Sequence, residues 1–148
     1  MNENALAELL AFLSGAPALA GIELRAEDAG PAPGTGGLWA QGVRVLSRRE
    51  DVTGGVTLRC RAEFRLRLCL PLPPGDGEQA ARNAGRLLAL QGWVAAQSAA
   101  HTAPAFGTGL PGTETLRAED GRLERADAAA TGRYSVLLRA EYDCALPA

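Results

Sequence analysis

Residues 56–70 read VTLRCRAEFRLRLCL, and the parity of this stretch decides the fold. Val56, Leu58, Cys60, Ala62, Phe64, Leu66, Leu68 and Leu70 fall on one parity; Thr57, Arg59, Arg61, Glu63, Arg65 and Arg67 fall on the other. A strand sends successive side chains to opposite faces, so the stretch predicts a long strand with one apolar face and one arginine face. About fifteen residues at ~3.3 Å each would span roughly 50 Å, longer than most strands, so a bend or bulge is expected within it.

Just upstream, residues 42–52 predict a strand, and Thr53-Gly54-Gly55 is a turn that folds it back on the long strand as a hairpin. Pro71, Pro73 and Pro74 end the sheet segment. Asp76 can then cap a helix running to about Ser98, with Ala80, Ala84, Leu87, Leu88, Val94 and Ala95 as its buried stripe and Leu90 and Trp93 widening it. Residues 101–113 have loop chemistry. Asp120-Gly121 is a type I′ hairpin signal between residues 116–119 and 122–124. The last strand, Arg133 to Cys144, alternates again, with Tyr134, Val136, Leu138, Ala140, Tyr142 and Cys144 on the apolar side. Leu137 breaks that alternation, which predicts some cover over the second face as well.

Upstream of the hairpin, Leu6, Leu9, Leu10 and Leu13 keep helical spacing between Asn4 and Leu13, with Asn2 or Asn4 available as a cap and Gly15 and Pro17 as the stop. Ile22, Leu24 and Ala26 alternate in a short strand. Residues 29–38, AGPAPGTGGL, hold four glycines and two prolines and read as an exposed loop. The expected architecture is one α+β domain over residues 1–148. In it an antiparallel sheet packs against a long helix plus an N-terminal helix, in the order αβββαβββ.

Composition narrows the chemistry. A net charge of −2 gives no overall pull toward nucleic acid or an anionic membrane. All 15 basic residues are arginine, as a GC-rich genome would give; without lysine there is no P-loop, no Schiff-base enzyme and no kinase machinery. The N-terminus MNENALAELL lacks the positive region of a signal peptide, and no apolar run approaches membrane-spanning length, so a soluble cytoplasmic protein is expected. Three cysteines, Cys60, Cys69 and Cys144, make an odd count with no CxxC pair and are expected to be reduced.

No motif points to catalysis. His101, the only histidine, sits in a loop without metal-ligand or triad spacing, and none of the four serines lies in a GxSxG context. Gly34-Thr35-Gly36-Gly37 lacks the strand-to-helix setting of a dinucleotide fingerprint. The arginine face is the one candidate site: Arg59, Arg61, Arg65 and Arg67, with Arg139 near them. It reads as a solvated face paired with Glu63, Glu141 and Asp143, as a protein–protein interface, or as a nucleic-acid surface.

Several short elements run through the chain in a fixed order. They are Phe12-Leu13 closing the first helix, Pro17-x-Leu19-x-Gly21-Ile22-x-Leu24, the arginine-bearing hairpin, the helix with Trp93, Leu110-Pro111, Glu119-Asp120-Gly121-x-Leu123, Arg133-Tyr134-x-Val136 and Tyr142. Together they resemble a family of small tail-terminator proteins, also labelled minor capsid proteins, of tailed bacteriophages and prophages of Gram-positive bacteria. The resemblance implies a non-enzymatic virion part without cofactors. Its partners would be copies of itself in a ring, often a hexamer, with the tail-tube protein and the head–tail connector. The resemblance allows such a part to be monomeric in isolation until the tube templates it. It would occur in the bacterial cytoplasm during assembly and then in the tail or neck of the virion, with no membrane contact and no sequence-specific nucleic acid. From the residues alone, a small-molecule-binding α+β module with a pocket between helix and sheet is the alternative.

Overall fold

The computed structural model describes residues 3–28, 30–106, 112–127 and 129–146. The chain runs α1 (Ala5–Ser14), a 3₁₀ turn (Pro17–Leu19), β1 (Glu23–Ala26), β2 (Thr35–Glu50), β3 (Val56–Pro71), α2 (Gly77–Ala99), β4 (Thr115–Ala126) and β5 (Thr131–Leu146). The α+β class and the expected order of helix, three strands, helix and closing strands are present. The sheet is five-stranded, in the order β1-β2-β3-β5-β4. The Leu110-Pro111 element lies outside the described residues.

The stretch that opened the sequence reading is the centre of this sheet. β3 pairs β2 on one side and β5 on the other, and its register with β5 runs unbroken from Val56↔Leu146 to Pro71↔Thr131. Cys60, Ala62, Phe64, Leu66, Leu68 and Leu70 are all buried on its apolar parity. Tyr134, Val136, Leu138, Ala140 and Tyr142 of β5 continue that surface. α1 adds Ala5, Leu9 and Leu13, and α2 adds Leu87, Leu90 and Val94. Phe12 and Trp93, with ring centroids 4.7 Å apart, join the two helices. Arg86 ties α2 to the 3₁₀ turn, donating from Nε to the Ala18 carbonyl and from Nη2 to that of Ala20, both at 3.0 Å.

Five expectations are corrected. First, the bulge expected in β3 is not there. The irregularities fall in its partner β2, between Ala40 and Gly42 and between Val45 and Ser47, past the point where β1 stops pairing it, while the central strand stays regular. Second, β2 begins at Thr35 rather than near residue 42, inside the stretch read as a loop. Its glycines serve close packing: a Cβ on Gly36 would stand 2.8 Å from Leu24 and 2.9 Å from Leu68. Third, the sheet is mixed, because β1 pairs β2 in parallel, Glu23 opposite Thr35 through Ala26 opposite Leu38.

Fourth, Asp120-Gly121 is a bulge within one continuous strand, so two expected strands are one. The register skips between Glu119 and Arg122, and Asp120 takes φ 56°. The Asp-Gly preference for positive φ serves a bulge as well as a turn. Gly121 passes under α2, where a Cβ would meet Leu87 at 3.3 Å. Fifth, the buried stripe of α2 is Asn83, Leu87, Leu90 and Val94, whereas Ala80, Ala84, Leu88 and Ala95 are exposed. Asp76 caps the helix as expected, accepting from the Gln79 amide at 3.0 Å.

Candidate functional site: an arginine face in two halves

The face of the sheet opposite the helices carries every arginine singled out in the sequence. Arg59, Arg61, Arg65 and Arg67 register against Asp143, Glu141, Leu137 and Ser135 of β5, and Glu63 registers against Arg139. The structure brings all five together on one surface and divides them.

At one end the arginines are matched. Arg59 reaches Asp143 at 3.2 Å and donates to the Thr113 carbonyl at 2.8 Å. Arg61 donates to Glu141 through Nε at 3.2 Å and Nη2 at 3.1 Å. Arg139 lies 3.1 Å from Glu119 and 3.6 Å from Glu63, the second an ion pair too long to be a hydrogen bond. Arg117 joins through Glu119 at 3.7 Å and Glu141 at 3.8 Å. Carboxylates from neighbouring strands neutralise the guanidinium groups here, so this half is an ion-pair lattice in which Arg139 Nε, 3.6 Å from Glu63, is buried without a hydrogen bond.

The other end is poor in acid. Arg67 stacks on Trp39, its guanidinium carbon 5.2 Å from the ring centroid. Arg65 Nη1 is buried without a hydrogen-bond partner. Arg133 donates from Nη1 to the Gly30 carbonyl at 3.2 Å, while its Nε is buried without a partner. Ser135, wholly buried between these arginines, has an unsatisfied Oγ. A depression of about 480 Å³ opens here, lined by Trp39, Arg67, Glu124, Arg125 and Arg133 among others.

Trp39, Arg125 and Ser135 were not singled out for this site in the sequence. Trp39 lay beyond the predicted start of β2, and Arg125 joins this face only because a register skip follows Leu123. The cover that Leu137 predicted exists: Leu137 and Ser135 are buried on the arginine face. A second concavity of about 370 Å³ runs between α2 and β4, with Ala84, Leu87, Leu88 and Leu123 in its lining.

The three cysteines are free thiols. Burial, with a smaller contribution from nearby Cys144, pushes the Cys60 thiol above its ordinary pKa. Alkylation without reductant is expected to label three thiols in the unfolded chain but Cys144 first in the folded one; a mass spectrum showing a Cys60–Cys144 bridge would contradict this. Among the described residues no cluster of His, Cys, Asp and Glu is placed to hold a metal ion, and no helix is long and apolar enough to cross a membrane. His101 is exposed in the loop after α2. Compared with protein-family models and with curated proteins, the chain matches none.

Proposed function

We propose that this chain is a structural component of a phage or prophage tail, a terminator that caps the tail tube, docks to the neck and acts by self-association rather than by catalysis. One observation carries the reading: the hairpin arm formed by β2 and the start of β3. Every residue from Gln41 to Gly54 is exposed, including Val43 at 54% and Val45 at 55%. These valines stand on the apolar side of the sheet, opposite Ala62 and Cys60, where that side runs out beyond its own cover. Apolar side chains held in water on a long arm support a protein partner.

The sheet edges support the same reading. β1 pairs β2 only as far as Leu38, so among the described residues no strand pairs the outer edge of β2 from Trp39 to Glu50, and β4 forms the opposite edge of the sheet. An arm from one copy meeting a different surface of the next is a head-to-tail contact, which closes a ring when the rotation allows. Arg44, Arg48 and Arg49 and the two β2 bulges keep the edge from pairing indiscriminately.

The test mixes the purified chain with the tail-tube protein of the same genome and follows joined tube ends by electron microscopy. Val43→Asp/Val45→Asp should fold, because both sites are exposed, and should abolish joining. A folded double variant that joins tubes as well as wild type would sink the reading.

A further inference from the structure

The acid-poor end of the arginine face has a built-in comparison on the same pair of strands. Arg117 of β4 registers directly opposite Arg139 of β5, and Arg125 registers directly opposite Arg133. Like charges directly opposite one another destabilise a sheet. At the first pair the chain supplies the remedy: Glu119 stands 3.7 Å from Arg117 and 3.1 Å from Arg139. At the second pair no carboxylate of the described residues makes an ion pair; Asp127, whose pKa is lowered first by its hydrogen bond from Thr131 and less by the charge of Arg133, is held by that hydrogen bond. Glu124, the one acid in the lining of the depression, makes no ion pair with these arginines among the described residues.

We propose that the depression lined by Arg67, Arg125 and Arg133 is a docking site for the carboxylates of an acidic protein segment, which does there what Glu119 does at the first pair. Of its lining, Arg133 has a buried Nε without a partner, and on the same face of the sheet Arg65 Nη1 and Ser135 Oγ are also unmatched. Leaving each of them unmatched is unfavourable, and a carboxylate can accept from several donors at once. The space of about 480 Å³ admits more than one side chain. Arg65 lies outside the lining, on the same face of β3 and roughly 7 Å along the strand from Arg67, the repeat of alternate residues in an extended segment. An extended segment with a Glu-x-Glu pattern therefore sets one acid in the depression and the next toward Arg65.

Carboxylate is favoured over a nucleic-acid backbone on two grounds. The chain carries a net charge of −2, so there is no long-range attraction to a polyanion. Arg67 already occupies one face of Trp39, which halves what that ring offers to a stacking base. The site deepens the assembly reading and rests on it only for who supplies the segment. The experiment below contains no tail protein, so the two can fail separately.

The ¹⁵N-labelled chain is titrated with an acetylated and amidated peptide of alternating glycine and glutamate, and the Trp39 indole and arginine Nε–H signals are followed. Saturable shifts confined to Trp39, Arg65, Arg67, Arg125 and Arg133 are expected. Arg133→Gln and Arg67→Gln should each weaken binding about tenfold or more, whereas Arg59→Gln, in the matched half, should change it by less than about twofold. Both site variants should stay folded, as a cooperative melt checks, because relief of like-charge repulsion offsets the loss of the Arg133–Gly30 hydrogen bond or of the Arg67–Trp39 contact. The proposal is overturned if Arg59→Gln costs as much binding as Arg133→Gln, or if a glycine–glutamine peptide binds equally. It is equally overturned if a DNA duplex or inorganic phosphate shifts these signals at concentrations where the peptide does not.

Discussion

Phe64→Ala is expected to destabilise the protein by about 3–5 kcal/mol, the range for removing a ring from a core that collapses only in part. Phe64 is 2% exposed at the middle of the central strand, with Leu138 opposite it on β5 and Ala40 on β2. Its ring stacks on Phe106, centroids 6.0 Å apart at 20°, so the truncation also loosens the segment that follows α2. The measurement is the urea midpoint of the variant against wild type. Leu88→Ala is the internal control. Leu88 carries a similar side chain on the helix above but is 70% exposed, and its replacement should stay within about 0.5 kcal/mol of wild type. An unchanged midpoint for Phe64→Ala, or a large loss for Leu88→Ala, would mean that the buried faces are assigned the wrong way round.

That pair of variants also marks where the sequence was legible. Parity in a strand is a two-way choice, and β3 states it eight times over, so its faces and those of β5 could be read directly. A helix offers a continuous choice of face. On α2 the alanines blurred it, because alanine sits equally well against a core or in water, and a polar residue, Asn83, holds the buried centre. The glycines at 36 and 121 misled for another reason. Their local signal is freedom of backbone and lack of bulk, which serves a loop, a turn, a bulge or a close approach alike. Only the position of Leu24, Leu68 and Leu87 decides among these, and that is tertiary information.

The candidate site was legible as a face but not as a site. Five arginines could be placed on one surface from parity alone. Which of them are matched depends on the β3–β5 register and on β4, which brings Glu119 to Arg139 and Arg125 to Arg133. Neither is local in sequence, and the second runs through two bulges. Hence Arg59, Arg61 and Arg139 are largely accounted for within the chain, and the unmatched charge has moved toward Arg133, Arg125 and Trp39.

Asn83 should be the second most sensitive position, and its behaviour should depend on pH when aspartate replaces it. The side chain is fully buried, and its amide links three elements. Nδ2 donates to the Pro71 carbonyl at the end of β3 at 2.8 Å and to the Tyr134 hydroxyl on β5 at 3.1 Å, while Oδ1 accepts from Gln79 Nε2 at 2.8 Å. Asn83→Leu strands those partners in the core and should cost about 2–4 kcal/mol by urea denaturation. Asn83→Asp keeps the shape but, when ionised, turns an acceptor toward the Pro71 carbonyl. Burial and that carbonyl both favour the protonated acid, so the folded-state pKa of the new group lies above the unfolded value of about 3.9. The unfolded chain then loses its proton first as pH rises, and stability falls from about pH 4 upward until the folded group also ionises. The gap between Asn83→Asp and wild type should therefore be small near pH 4 and wide at pH 7. A gap of the same size at both would show that the amide does not face the Pro71 carbonyl, and the link between α2 and the end of β3 would have to be sought elsewhere.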